Sequence, residues 1–100
     1  MAEVVVSPRA QAELREIANW YEVNAPAAKH SIEQEFNQIM KLTTLFPMLH
    51  AVQFDTYRRA ALRNFPYAIW YEFDAAADRI DVVLIRHQRS LPLSPGDIVR

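Results

Sequence analysis

Residues 51–100 hold seven arginines and no lysine, Arg63, Arg86 and Arg89 among them. Arg63 precedes Phe65-Pro-Tyr67, and Arg86 and Arg89 bracket His87. The arginine fork meets phosphate oxygens two at a time, and arginine next to aromatics is also enriched at the energetic centres of protein interfaces. Histidine adds a group that can exchange a proton near neutral pH. Other chemistries are closed. The chain has no cysteine, which excludes thiol catalysis, disulfides and Cys-type zinc sites. Its three histidines, His30, His50 and His87, are too scattered to hold a metal, so none is expected. His30 reads as a surface residue of a helix, and His50 as a loop residue without a partner at ligand spacing. The single glycine, Gly96, rules out a glycine-rich phosphate loop and with it nucleotide hydrolysis. No cofactor is expected.

These side chains must be carried by one domain, because 100 residues cannot divide into two cores. With 51% hydrophobic and 23% charged residues, the composition is that of a folded globular chain. The formal net charge is -1, with four basic and six acidic side chains in residues 1–50 and seven basic and six acidic in residues 51–100. A dedicated nucleic-acid binder usually carries a clear basic excess, and this chain lacks it. The N-terminus has no basic segment followed by a long apolar run, and no stretch approaches the ~20 apolar residues of a membrane span. The expected location is the cytoplasm, with no membrane partner.

Val4-Val5-Val6 predicts a short strand, and Ser7-Pro8 a helix N-cap followed by proline in the first turn. Ala10, Leu14, Ile17, Ala18 and Tyr21 recur at helical spacing until Asn24-Ala25-Pro26 breaks the helix. A second helix is expected from about Ala27 to Phe46, its stripe formed by Ala28, Ile32, Phe36, Ile39, Thr43 and Phe46 and closed by Pro47. So short a break predicts an antiparallel helical hairpin. The period then changes. Val52–Phe54 and Arg58–Leu62 read as one or two extended segments around a turn at Asp55-Thr56, and residues 68–86 as a β-hairpin of two long strands. Leu91–Gly96, rich in proline, predicts a loose tail across residues 91–100. The fold class is α+β in the order β-α-α-β-β-β, a helical hairpin on a small, mostly antiparallel sheet.

Strict alternation would divide the last strand into Ile80, Val82, Leu84 and Arg86 on one face and Asp81, Val83, Ile85 and His87 on the other. Ile69, Tyr71 and Phe73 would oppose Trp70 in the strand before it. Both faces are then largely apolar, although the helices can cover only one. Two outcomes are open for the other: burial under loops, or an apolar surface that a partner shields.

The run Arg63-Asn-Phe-Pro-Tyr-Ala-Ile-Trp-Tyr-Glu-Phe73, a short loop, and Ile80-Asp-Val-Val-Leu-Ile-Arg-His-Gln-Arg89 resemble the RelE/ParE superfamily of bacterial toxins. The short first strand, the Ser-Pro helix entry and a long second helix ending near Leu42–Pro47 agree, so the resemblance spans roughly residues 3–90. It implies the toxin of a type II toxin–antitoxin pair, neutralised by a cognate antitoxin whose extended, largely helical tail wraps it. DNA would be met only indirectly, through the antitoxin. RelE-like members cut mRNA in the ribosomal A site; ParE-like members bind and inhibit DNA gyrase.

If the chain were a ribosome-dependent endonuclease, metal-independent cleavage through the ribose 2′-hydroxyl would need an acid, a base and cations on the phosphate. His87 with Tyr71 or Glu72 would supply the proton transfers, and Arg63, Arg86 and Arg89 the clamp. Residues 51–62 carry no lysine, however, and no tyrosine follows Arg89, both departures from the RelE-like pattern. The ParE-like reading needs only a complementary surface, for which Arg63, Trp70, Arg86 and Arg89 are the candidate target contacts. Antitoxin contacts are expected at Tyr71, Phe73, Val83 and Ile85 on the apolar sheet face or groove, with strand addition at the sheet edge as a further mode. The bland alternative places these arginines in solvated pairs with Glu72, Asp74 or Asp81. The ParE-like reading is preferred; the mRNA endonuclease and a decayed homologue that only binds antitoxin are the alternatives.

Overall fold

In a computed structural model that describes residues 2–89 and 96, a strand and a helical hairpin precede a four-strand meander. The elements are β1 (Glu3–Val6), α1 (Pro8–Asn24), α2 (Pro26–Leu45), β2 (Val52–Phe54), β3 (Tyr57–Ala61), β4 (Tyr67–Asp74) and β5 (Arg79–His87). They form a five-stranded sheet ordered β1-β5-β4-β3-β2, antiparallel except where β1 lies parallel to β5. The α+β expectation holds. The extended segments flanking Asp55-Thr56 are two strands, and Asp55 turns the chain with φ 50, a left-handed conformation that a short polar side chain tolerates. Asp78 closes the β4–β5 hairpin in the same way, with φ 48. The expected tail, Leu91–Gly96, lies outside the described residues except for Gly96.

Local chemistry sets the helix boundaries. Ser7 caps α1, its Oγ accepting the Ala10 N–H at 3.1 Å, and Pro8 fills the first turn. Ala25 ends α1 and begins α2, with Pro26 opening the second helix. The sheet face beneath the helices holds the main core: Ala10 and Tyr21 from α1, Ile32 and Phe36 from α2, and Ala60, Leu62, Ile69, Tyr71, Ile80, Val82 and Ile85 from the sheet region. Phe46, expected in the α2 stripe, is instead 57% exposed, because the helix ends at Leu45 before its side chain can turn inward.

Strict alternation in β5 fails at one residue. Tyr71 faces Val82 and Trp70 faces Leu84, so Val83 is an extra residue, a β-bulge. The bulge turns Leu84 to the far face beside Val83 and returns Ile85 and His87 to the helix side. The faces are therefore Ile80, Val82, Ile85 and His87 under the helices, and Asp81, Val83, Leu84 and Arg86 on the opposite side. α1 and the residue that caps it secure the irregular backbone. The Ser7 N–H donates to the Val82 carbonyl at 2.9 Å, Ser7 Oγ donates to the Val83 carbonyl at 2.9 Å, and the Ile85 N–H donates to Glu13 Oε1 at 3.0 Å. These bonds satisfy polar groups that a bulge removes from the ladder.

The far face is not left bare. Tyr57, Trp70, Val83 and Leu84 form a second buried cluster, with Phe54 packed against it and stacked on Tyr57 at 6.4 Å. An apolar face open until a partner covers it is thus corrected at its centre: these four side chains are buried within the protein itself.

Candidate functional site

The five-residue connection from β3 to β4, residues 62–66, carries Arg63 and is tied down on its inner side. Glu35, near the middle of α2 and only 9% exposed, accepts the backbone N–H groups of Arg63 and Asn64 on Oε1, the latter at 2.8 Å. Its Oε2 accepts from Asn64 Nδ2 at 3.2 Å. From the opposite side, the Gln88 amide donates to the carbonyls of Leu62 and Tyr67 at 3.3 and 3.2 Å, and its backbone N–H donates to Pro66 at 2.8 Å. The Phe65 ring meets Tyr21 edge-on at 5.7 Å. Arg63 itself projects outward, exposed, and its guanidinium has no ion-pair partner among the described residues.

The remaining candidates separate by face. Trp70 lies on the far face, where its cross-strand neighbours are Arg59 on β3 and Leu84 on β5. Arg86 occupies the same face one row along, opposite Ala68, and Arg89 is exposed just beyond β5. His87 points the other way, paired with Tyr67 across the ladder, with ring centroids 5.6 Å apart. Its Nδ1 accepts the Arg89 N–H at 3.0 Å, which leaves Nε2 to carry the proton in the neutral ring. The structure therefore gathers Arg59, Trp70 and Arg86 on one face and puts His87 on the other. The expected acid–base set is not assembled. Tyr71 is wholly buried and its hydroxyl donates to the Pro47 carbonyl at 2.9 Å, while Glu72 on the far face accepts from Thr56. Burial raises the pKa of Tyr71, which further removes it from proton transfer near neutrality.

The four expected antitoxin contacts do not share one surface. Tyr71 and Ile85 belong to the core under the helices with Phe73 packed against it, whereas Val83 faces the opposite side because of the bulge. A different apolar feature does open to solvent. Between α1 and α2 runs a groove of about 460 Å³, walled by Leu14, Ile17, Ala18, Phe36 and Met40 and floored by Ile69, Val82 and Ile85. Arg15, Glu33 and Asn37 supply its polar rim. A second exposed apolar set runs from the last residue of α2 to the first of β2, comprising Leu45, Phe46, Met48, Leu49 and Val52. Its backbone is held from within, since Arg58 Nη1 donates to the Met48 and His50 carbonyls at 3.4 and 2.7 Å.

Sequence reasoning missed Glu35, and it offered Arg58 and Arg59 as a partial substitute for a basic run while leaving their direction open. Arg58 and Arg59 are adjacent arginines with opposite fates, one turned inward to loop carbonyls and the other outward beside Trp70. Glu35 stands three residues after Ile32 and four before Ile39, a spacing on the α2 apolar stripe that marks it as inward-facing. Two of the acids expected to pair with these arginines are engaged by Arg79, which reaches Asp81 at 2.9 Å and Asp74 at 3.5 Å. Among the described residues there is no cluster of three or more metal-ligating side chains, and no helix is long and apolar enough to cross a membrane.

Comparison with known proteins adds two findings. A search of curated proteins gives no match. Among solved structures, one titled "Chromosomal ParDE TA system from P. aeruginosa" superposes with a TM-score of 0.71, covering 87% of this chain and 96% of that chain at 15% identity. At that identity the likeness establishes the fold. Residues 4–92 match the family model described as "ParE toxin of type II toxin-antitoxin system, parDE". That match spans β1 through β5, including the tethered 62–66 connection and both faces of the bulged strand. The chain belongs to the ParE toxin family.

Proposed function

We propose that this protein is the toxin of a type II toxin–antitoxin pair, that it arrests growth by binding DNA gyrase, and that a cognate antitoxin neutralises it. The family match over residues 4–92 is the observation that carries this reading. The dispersal of the nuclease candidates supports binding over catalysis. A cleavage site needs its acid, base and phosphate clamp within hydrogen-bond reach of one substrate, yet Tyr71 is sealed in the core and His87 and Arg86 lie on opposite faces. The target contacts in this reading are Arg63, Arg86 and Arg89, joined by Arg59, whereas Trp70, expected among them, is buried in the far-face cluster and supports that surface from beneath. The antitoxin contributes an amphipathic helix whose apolar face fills the α1–α2 groove, a recognition mode that suits a cleft with an apolar floor and polar rim.

Induced expression in a bacterial host tests the proposal. DNA breaks or supercoiling defects with intact mRNA, both suppressed by the co-expressed antitoxin, are the expected outcome. Transcripts cleaved during translation would instead establish the endonuclease, and unimpaired growth without antitoxin would remove both toxin readings.

A further inference from the structure

We propose that Glu35 is a positioning residue for target binding, fixing the backbone of Arg63 so that its guanidinium is presented to the target already oriented. This rests on the function proposed above, because Arg63 matters only if the exposed arginines make the target contact. A carboxylate that is only 9% exposed is costly unless its charge is answered, and among the described residues Glu35 has no lysine or arginine partner. Three N–H groups answer it instead, two of them backbone amides of Arg63 and Asn64. Hydrogen bonds to an ionised acceptor are stronger and more directional than neutral ones. One of the gripped amides belongs to Arg63 itself, so the bond constrains the direction in which that side chain leaves the backbone.

The surrounding contacts fit this role. Gln88 holds the carbonyls of Leu62 and Tyr67 from the other side, and Phe65 packs on Tyr21, so only the outer surface of the connection is free. Binding then orders one side chain rather than a whole loop, which lowers the entropic cost of association. A purely structural Glu35 would affect every interface of the protein equally. A positioning Glu35 would act on the target contact through Arg63 and spare the antitoxin groove, which Glu35 does not line.

The test is a double-mutant cycle on the full-length protein with Glu35→Ala, Arg63→Ala and the combined variant, plus Glu35→Gln. Gyrase inhibition and antitoxin affinity are measured for each. Glu35→Ala should raise the concentration needed for inhibition about tenfold while leaving antitoxin affinity within about twofold. It should add nothing once Arg63 is alanine. Glu35→Gln keeps Oε1 as an acceptor and should recover most of the inhibition. Additive effects of Glu35→Ala and Arg63→Ala, parallel losses of inhibition and antitoxin binding, or full inhibition by Glu35→Ala beside an inactive Arg63→Ala would each overturn the proposal. Should the unaltered protein leave gyrase untouched, the gyrase reading alone falls. The cycle is then read in growth arrest after induction, where Glu35→Ala and Arg63→Ala must again fail to add. A chain that arrests nothing overturns both.

Discussion

Tyr71, Glu35 and Arg58 are polar side chains turned inward, and each holds a segment that the sheet alone would leave free. Tyr71 pins Pro47 and Arg58 pins Met48 and His50, so the apolar loop after α2 is fixed by its carbonyls. Tyr71→Phe removes one of these bonds and should cost about 1 kcal/mol in urea unfolding. If the protein acts by binding, the same variant should remain toxic; a nuclease relying on the Tyr71 hydroxyl would lose activity. His50 gives the loop a pH dependence. Burial lowers its pKa, and the Arg58 charge lowers it further. The unfolded chain therefore takes up the proton more readily than the folded one. The contribution of His50 to stability is complete above the ordinary value of 6.5 and is lost as pH falls from there through the lower folded value. Replacing His50 with Phe should flatten the stability profile as pH falls below 6.5 relative to the unaltered chain. Parallel profiles in denaturant titrations would contradict this. The inward roles of Glu35 and Arg58 are not evident from residue type, because glutamate and arginine ordinarily mark surface. The signals were the helical spacing of Glu35 and the strand alternation that put Tyr71 beside Ile69 and Phe73.

Most elements were legible because their signals are local. Ser7-Pro8, Asn24-Ala25-Pro26 and the periodic stripes mark the helices, and the β-branched and aromatic runs mark the long hairpin. The face assignment within β5 was not legible. In Val82-Val83-Leu84-Ile85 every side chain is apolar, so a one-residue bulge leaves no trace in the hydrophobic pattern. The bulge is written elsewhere in the chain, in Ser7 and Glu13, which bond its displaced backbone groups. Ser7→Ala loses both the α1 cap and the bond to Val83, and should destabilise the protein by about 1–2 kcal/mol. Equilibrium unfolding checks the value. An effect near zero would mean that water replaces the hydroxyl at both sites. Sheet order was also beyond local reading, since the parallel pairing of β1 with β5 joins segments more than 70 residues apart.

The whole molecule presents its exposed features on separate surfaces. The α1–α2 groove opens on the helix side, the half-buried Arg59 and Arg86 flank the buried Trp70 on the far face, and Arg63 stands at the end of the sheet where β3 turns into β4. Two partners can in this way be served by different residues. Ala18→Glu, which places a charge in the groove wall, should reduce antitoxin affinity at least about tenfold and leave toxicity intact. Calorimetric titration measures the first and growth after induction the second; loss of both together would argue against separate surfaces. The near-neutral charge of the chain also fits a protein target better than a ribosome-bound RNA. The decisive measurement is supercoiling of relaxed plasmid by purified gyrase with increasing amounts of the purified protein, run beside a translation extract. Dose-dependent loss of supercoiling, reversed by the antitoxin and unaffected by His87→Ala, with transcripts in the extract left whole, is the expected result. Undisturbed supercoiling together with His87-dependent transcript cleavage would contradict it.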